Sequence, residues 1–329
     1  MQAVWFNQSG DASDVLVYGE REMPPQPAAD EVLVRLYASG VNPSDVKKRA
    51  GLQPAGFVDE FVIPHSDGAG VIEAVGNGVA RDRIGERVFV YQAQYQRHWG
   101  TCAQYVTVPQ SLAAPLPENA GFDVGACAGI PMMTAHRCVF ADGDVAGKHV
   151  LVTGASGRVG FYAVQWALQA GANVIATAGS EDRCEQVRSS GLQNIINYRQ
   201  DGLVDAIMDA SNGEGIDRII DVEFGVNIQT SVSVLKTGGV IASYSSSKSM
   251  TPEIPFYPLM FNNISLQLVL VYNMSEEAKI AATKAVYAAL SRDALVHRIA
   301  QRFPLEQTSD AHLAIEAGGL DGCVVVEIP

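Results

Sequence analysis

A glycine-spaced turn carries the first chemistry in this chain. Gly154-Ala155-Ser156-Gly157-Arg158-Val159-Gly160 follows the apolar run His149 to Thr153 and precedes a helical pattern from Phe161 to Ala170, with Val159, Ala163, Trp166, Ala167 and Ala170 at helical spacing. Backbone N–H groups at the opening of a helix, with its partial positive charge, attract anions, and a glycine lets a pyrophosphate approach without a Cβ in the way. Gly157 is placed for that approach, and Gly160 for close packing of the helix on the sheet. A glycine string alone also marks any tight turn. This one lies between a strand and a helix, with a further strand at Asn173 to Thr177, and the expected ligand is a dinucleotide.

The end of that further strand bears on which dinucleotide. An Asp or Glu there would hydrogen-bond a ribose 2′-hydroxyl. The chain instead has Thr177-Ala178-Gly179-Ser180, and Arg183 follows after two acids. A hydroxyl and a forked guanidinium can receive a 2′-phosphate, which favours NADP(H) over NAD(H). The alternative is that Arg183 pairs with Glu181 or Asp182 on a solvated helix start.

The elements that must position these groups fall into two textures. Up to about residue 118 the chain reads as short strands broken by Gly and Pro: Glu31 to Tyr37, Gly68 to Val75, Arg87 to Tyr91 and Ala103 to Val108, with Pro-rich connections at Met23 to Pro27 and Pro115 to Pro117. From His149 apolar β runs alternate with helical patterns, the later runs being Asn194 to Asn197, Arg218 to Val222 and Val240 to Tyr244. That alternation predicts an α/β fold with a parallel sheet covered by helices. Ser265 to Tyr272 reads as β, Ser275 as the N-cap of a helix, and Cys323 to Ile328 as a strand, so the tail is expected to return to the β-rich part. The expected division is 1–120, 121–265 and 266–329.

The whole chain sets the bounds. Its 329 residues carry 36 acidic and 23 basic side chains, a formal charge of −13, with 47% hydrophobic residues and a pI near 4.9. Disorder is excluded by that apolar content, and a nucleic-acid partner is disfavoured because phosphate neutralisation needs clustered cations. Met1 to Phe6 has no basic or apolar signal-like region and no run is long enough to span a bilayer, so a cytoplasmic protein with no membrane partner is expected. The five widely spaced cysteines fit reduced thiols.

Several motifs occur together and in order: Gly40-Val41-Asn42-Pro43 with Asp45; Pro64 and Gly68-Ala69-Gly70-Val71-Ile72-Glu73-Ala74-Val75-Gly76; Gly129-Ile130-Pro131 with Thr134-Ala135; Gly154 to Gly160; and Asn197-Tyr198-Arg199. With these the chain resembles, over nearly its whole length, the zinc-independent, zeta-crystallin-like quinone oxidoreductases of the medium-chain dehydrogenase/reductase superfamily. The resemblance implies a GroES-like β-rich catalytic domain and a doubly wound Rossmann domain that binds NADPH. It implies that Ser180, Arg183 and Tyr198 hold the 2′-phosphate, and that Ser156, Gly157, Arg158, Val159 and Gly160 hold the pyrophosphate. Asn42, Thr134, Gly225, Ser245 and Leu270-Val271-Tyr272 would then line the nicotinamide half. Taken singly, Asn42 and Thr134 read equally as turn or cap residues, and Arg158 as a side chain facing water.

The same resemblance bears on metal and substrate. Zinc-dependent relatives ligate the metal with Cys, His and a second Cys or Asp, and the aligned positions here are Asn42, Ser66 and Ile130, so no metal is expected; His65 and Cys127 read as structural. Two tyrosines that often line the pocket in relatives are replaced by Lys47 and Gln53, which with Asn42 are the candidates at the reacting end. Lys47 also reads as one solvated cation in the run Lys47-Lys48-Arg49. The segment Val90 to Trp99, rich in aromatic and amide side chains, reads as a lid or pocket wall, or else as a loop or subunit contact. The expected activity is NADPH-dependent reduction of a quinone, with reduction of an enoyl or 2-alkenal double bond as the alternative enzyme. A non-catalytic NADPH-binding role, crystallin-like or RNA-binding, is the alternative from another class. A homodimer formed along Ser265 to Tyr272 is also expected.

Overall fold

The computed structural model describes residues 1–52 and 61–329, so Gln53 lies outside the described residues. Two compact units divide the chain: Met1–Ile130 with Thr283–Pro329, and Pro131–Ala282. The first carries β1 (Gln2–Trp5), β2 (Val17–Glu20), β3 (Glu31–Val41), β4 (Asp67–Val75), β5 (Arg87–Val90), β6 (Tyr105–Pro109) and β7 (Ala113–Pro115). The second carries β8 (His149–Val152), β9 (Asn173–Ala178), β10 (Ile195–Asn197), β11 (Ile216–Asp221), β12 (Leu235–Ser243) and β13 (Ser265–Leu268). The tail returns β14 (Ile299–Pro304) and β15 (Cys323–Glu327) to the first.

The first unit is built on the long strand β3. Val32, Val34 and Leu36 alternate along it and are buried with Ile72, Val88, Val90, Val106 and Val108 in one core, and Leu33 and Ala38 to Val41 are buried as well, so β3 is covered on both faces along much of its length. Its sheet runs β14-β15-β3-β4-β5-β7, and β6 also pairs with β3. All these pairings are antiparallel except β14 with β15. A second cluster joins Val4, Val41, Val46, Ile63, Val324 and Val326 to Leu305, Ala311 and Ile315 around the helix Thr308–Ala317.

The second unit has the strand order β10-β9-β8-β11-β12-β13, parallel throughout. Counted from β8 this is 3-2-1-4-5-6, the doubly wound order that reverses between its first and fourth strands. β8 is buried along its length and β9 and β11 almost so, as strands covered by helices on both faces must be. Leu151, Ile175, Ile207, Ile216, Ile219 and Val234 form one core cluster, and Phe224, Ile228, Ile241 and Leu259 another.

The compact units break after Ile130 and Ala282, later than the divisions read at 120 and 265. The second difference has a clear cause: β13 hydrogen-bonds to β12 as the sixth strand of the parallel sheet, and so does not return to the β-rich unit. Ser265 to Tyr272 is also not one strand. β13 stops at Leu268, and Val271–Asn273 form a 3-10 turn. Among the described residues no helix is long and apolar enough to cross a membrane.

Candidate functional site

The glycine turn has the construction its sequence requires. Gly154 has φ +61°, and a Cβ there would lie 2.7 Å from Val222 Cγ1. The Gly157 N–H donates to Gly154 O at 3.0 Å, closing the turn, and the Ala155 N–H donates to Thr177 O at 2.9 Å, tying it to β9. Helix Arg158–Gln169 then starts with Gly157 as its extended N-cap. A Cβ on Gly160 would meet Gly154 O at 2.5 Å and Ala155 Cα at 2.9 Å, so only glycine lets the helix pack this closely on the turn. Every residue from Gly160 to Ala167 is buried, a broader burial than the single stripe the sequence shows, because helix Met133–Phe140 packs on the other side and Trp166 Nε1 donates to Met132 O at 3.3 Å. Ser156 is buried, and Arg158 and Val159 are half-buried.

The carboxyl ends of β8 and β11, where the strand order reverses, are bolted together by one oxygen. Asp221 Oδ1 accepts from Thr153 Oγ1 at 2.9 Å, from the Glu223 N–H at 3.0 Å and from Asn227 Nδ2 at 2.7 Å. A cavity of about 230 Å³ opens beside this junction, lined among others by Thr153, Gly154, Thr177, Tyr198, Val222 and Glu223. A crevice at such a reversal is where doubly wound sheets bind ligands.

Tyr198 lines that cavity and covers Gly179 just past the end of β9, while Ser180 follows Gly179 and Arg183 lies in the first turn of the next helix. Ser180 caps helix Glu181–Arg188, its Oγ accepting the Arg183 N–H at 3.3 Å. The Tyr198 N–H donates to Ala178 O at 3.0 Å, and the tyrosine ring covers Gly179, where a Cβ would lie 2.8 Å from the phenol oxygen. Glu181 is held by Asn197 Nδ2 at 3.1 Å and Gln200 Nε2 at 3.3 Å, and among the described residues no ion pair joins Arg183 to Glu181 or Asp182.

The remaining candidates in this unit sit beyond β11, β12 and β13. The Phe224 N–H donates to Ser245 O at 3.0 Å and the Gly225 N–H to Ser246 Oγ at 3.0 Å, so Gly225 and Ser245 are neighbours at the start of helix Phe224–Val234. Thr134 is buried in helix Met133–Phe140, which packs against the 3-10 turn holding the buried Val271 and Tyr272; Leu270, just before it, is exposed.

In the first unit, Asn42 precedes helix Pro43–Arg49, which starts with proline at its first position. Asn42 is buried and its donors are used: its N–H bonds Asp45 Oδ2 and its Nδ2 bonds Asp67 Oδ2, both at 2.9 Å. Asp67 Oδ2 also accepts the Ile130 N–H at 2.7 Å. Lys47 is half-buried, whereas its neighbours Lys48 and Arg49 are buried, Arg49 in an ion pair with Glu316. A run of three cations on a solvated face is therefore the wrong description. Val90 to Trp99 is largely packed: Tyr91 to Gln94 are buried, and the Tyr91 phenol donates to Ser111 O at 2.6 Å.

Two of the three positions aligned with zinc ligands thus meet on one carboxylate. Asn42 and Ile130 present N–H donors to Asp67, and the Ser66 backbone hydrogen-bonds Asp45. An amide, a hydroxyl and a backbone N–H are not the thiolate, imidazole and carboxylate donors that zinc takes, so this set does not fit that metal. His65 bonds Ser39 and His312, and Cys127 Sγ donates to Asp123 O at 3.3 Å.

Comparison with known proteins places this architecture. A family model for the alcohol dehydrogenase GroES-like domain matches residues 28–118, and one for zinc-binding dehydrogenases matches 159–286. A quinone oxidoreductase from Rattus norvegicus is 31% identical over 301 residues, 91% of this chain and 87% of that protein. The chain belongs to the quinone oxidoreductase family of the medium-chain dehydrogenase/reductase superfamily. Another quinone oxidoreductase, from Homo sapiens, is 32% identical over 88% of this chain and 86% of its own length. A 2-haloacrylate reductase from Burkholderia sp is 28% identical over 87% of each. Among solved structures, a mycobacterial quinone oxidoreductase superposes with a TM-score of 0.87 at 25% identity, covering 99% of both chains. This family member therefore combines a GroES-like β-rich domain with a Rossmann domain.

Proposed function

We propose that this chain is a zinc-independent, NADPH-dependent oxidoreductase that reduces a quinone. The observation that carries the cofactor assignment is that β9 ends without an acid and is followed by Gly179 under the Tyr198 ring, Ser180 as a helix cap and Arg183 in that helix's first turn. In this reading Ser180, Arg183 and Tyr198 hold the 2′-phosphate and the cavity beside Thr153 and Val222 takes the adenosine half. The N–H groups from Ser156 to Gly160 hold the pyrophosphate. Asn42, Thr134, Gly225, Ser245 and Leu270 to Tyr272 line the nicotinamide half. A solved mycobacterial relative at 25% identity is complexed with NADPH, which supports the choice.

The cofactor supplies a hydride when bound; the protein supplies orientation and a site shielded from water. The donors around Asp67 offer no Lewis acid in place of zinc, so an acceptor already made electrophilic by conjugation fits best, and the quinone oxidoreductase relatives favour a quinone. The 2-haloacrylate reductase relative keeps a conjugated double bond as the second reading. Five free, buried cysteines suit a reducing compartment such as the cytoplasm. A panel of 1,2- and 1,4-quinones, 2-alkenals and enoyl thioesters with NADPH tests the assignment. Turnover of quinones alone is expected; turnover of the alkenes alone would transfer the assignment to the second reading, and no turnover with intact NADPH binding would favour a non-catalytic role.

A further inference from the structure

The cavity beside Thr153 and Val222 lies wholly within the second unit and runs deeper than its mouth. The mouth is formed at the carboxyl ends of the parallel strands by Thr153, Thr177, Tyr198 and Glu223, with Lys248 from the loop after β12. Below it the lining continues down the sheet to Leu151 on β8. It also follows two helices, to Ile207 in helix Leu203–Ala210 and to Thr230 and Ser231 in helix Phe224–Val234. Leu151 precedes Thr153 by two strand positions, about 7 Å. Ser231 follows Glu223 by eight positions, about 12 Å along the helix.

The two ends of the cavity differ in chemistry. Both charged lining residues, Glu223 and Lys248, belong to the mouth, where the Glu223 carboxylate accepts from Ser247 Oγ at 2.9 Å and from the Lys248 N–H at 2.8 Å. The depth carries no charge. Leu151 and Ile207 present there the side of the core cluster that they form with Ile175, Ile216 and Ile219. The polar groups at that depth are the hydroxyls of Thr230 and Ser231. Ser231 is 2% exposed, and among the described residues neither hydroxyl is used in a hydrogen bond. A buried hydroxyl left in that state is costly, and a ligand that supplies a partner recovers the cost. Size narrows the ligand further. An apolar cavity of roughly 150 Å³ already holds benzene, so about 230 Å³ has room for one substituted six-membered ring and not for two.

Resting on the reading of this chain as an NADPH-dependent quinone reductase, we propose that the depth of this cavity binds a neutral monocyclic phenol, and that its occupant is the hydroquinone the reaction releases. The ring lies against Leu151, Ile207 and Val226, and a hydroxyl meets Thr230 and Ser231. A phenol is uncharged below about pH 10, as a floor without charges requires. Its O–H both donates and accepts and so pairs with a serine or threonine hydroxyl in either sense, whereas a quinone oxygen only accepts. No covalent bond is made or broken. Because the same cavity takes the adenosine half of NADPH and has room for one ring, hydroquinone and cofactor exclude one another. Accumulating product then raises the apparent KM for NADPH and leaves kcat unchanged. Product held in the acceptor's own place would instead compete with the quinone.

Anaerobic calorimetry of 1,4-hydroquinone on the cofactor-free protein tests this, with one site and a Kd on the order of 0.1–1 mM expected for so small a ligand. Saturating 2′-phospho-ADP-ribose, the oxidised cofactor without its nicotinamide, should weaken that binding about tenfold or more. Ser231→Leu, which fills the depth, should also weaken it about tenfold or more. Thr230→Val keeps the shape and removes a hydroxyl, so it should cost about 2- to 10-fold and decides the matter where Ser231→Leu does not fold. In steady-state kinetics hydroquinone should compete with NADPH and not with the quinone. No heat up to about 10 mM, an affinity that neither the variants nor the cofactor fragment change, or competition with the quinone alone overturns the proposal. Hydroquinone binding in a wild type that reduces no quinone overturns the reductase reading, and with it the product as occupant, while the phenol cavity stands. Binding that persists in a protein with no affinity for NADPH overturns the cofactor reading instead.

Discussion

The Nε2 atoms of His65 and His312 lie 2.9 Å apart in the interior of the first unit, so one ring must donate and the other accept. The surrounding bonds decide which. Thr101 Oγ1 donates its proton to Asp67 O at 2.6 Å, so Ser39 Oγ donates to Thr101 Oγ1 at 2.7 Å. Ser39 then accepts from His65 Nδ1 at 2.8 Å, which leaves His65 Nε2 as the acceptor for the Nε2–H of His312. Both rings are neutral, and His312 Nδ1 is buried without a partner.

That arrangement makes the fold acid-sensitive. Burial lowers His65 from 6.5 to about 3, and burial with the fields of His65 and Arg49 lowers His312 well below 6.5. Between the folded and unfolded values the unfolded chain binds more protons, so stability is full above about pH 6.5 and falls as pH drops toward 3. Each ring contributes up to roughly 1.4 kcal/mol of loss per pH unit in that window. Denaturant titrations at several pH values check this: His312→Gln should flatten the acid limb, and an unchanged limb would contradict the tautomer chain.

Gly160→Ala tests the close approach of helix Arg158–Gln169 to its turn. The obstructing atoms at 2.5 and 2.9 Å are backbone and cannot rotate away. A loss of about 1–3 kcal/mol is expected from the forced shift, read as a lower denaturation midpoint with weaker dinucleotide binding. Retention of both would show that the turn gives way more easily than its geometry implies.

The expected homodimer has a surface that can be tested. Phe256 is 64% exposed and Phe261 75% on the helix that precedes β13, and Leu268 is 79% exposed on β13 itself, the end strand of the sheet. An open edge strand flanked by apolar side chains suits pairing with a second copy. Light scattering should give a dimeric mass for the wild type and a monomeric mass for Leu268→Asp with Phe261→Asp. A monomeric wild type would end that expectation.

Local signals were legible in the sequence wherever the structure depends on neighbouring residues. The runs at His149, Asn173 and Arg218 became β8, β9 and β11 because strands buried on both faces are apolar throughout, and the glycine turn with its Ser180 cap is set by adjacent residues. What escaped detection is long-range. Asp67 meets Asn42 across 25 positions and Ile130 across 63, and His65 meets His312 across 247. No spacing rule reaches so far. Lys48 did have a signal: Asp45, Lys48 and Arg49 share one helix face at i, i+3 and i+4, and that face is buried.

Calorimetric titration of the wild type and Arg183→Ala with NADPH and NADH tests the central claim, that a 2′-phosphate is held beside Ser180, Arg183 and Tyr198. NADPH should bind the wild type more tightly than NADH, and Arg183→Ala should lose roughly 10- to 100-fold of NADPH affinity with little change for NADH, as expected for a hydrogen bond to a charged group. Equal affinities for the two cofactors in the wild type, or no heat with either, would contradict it.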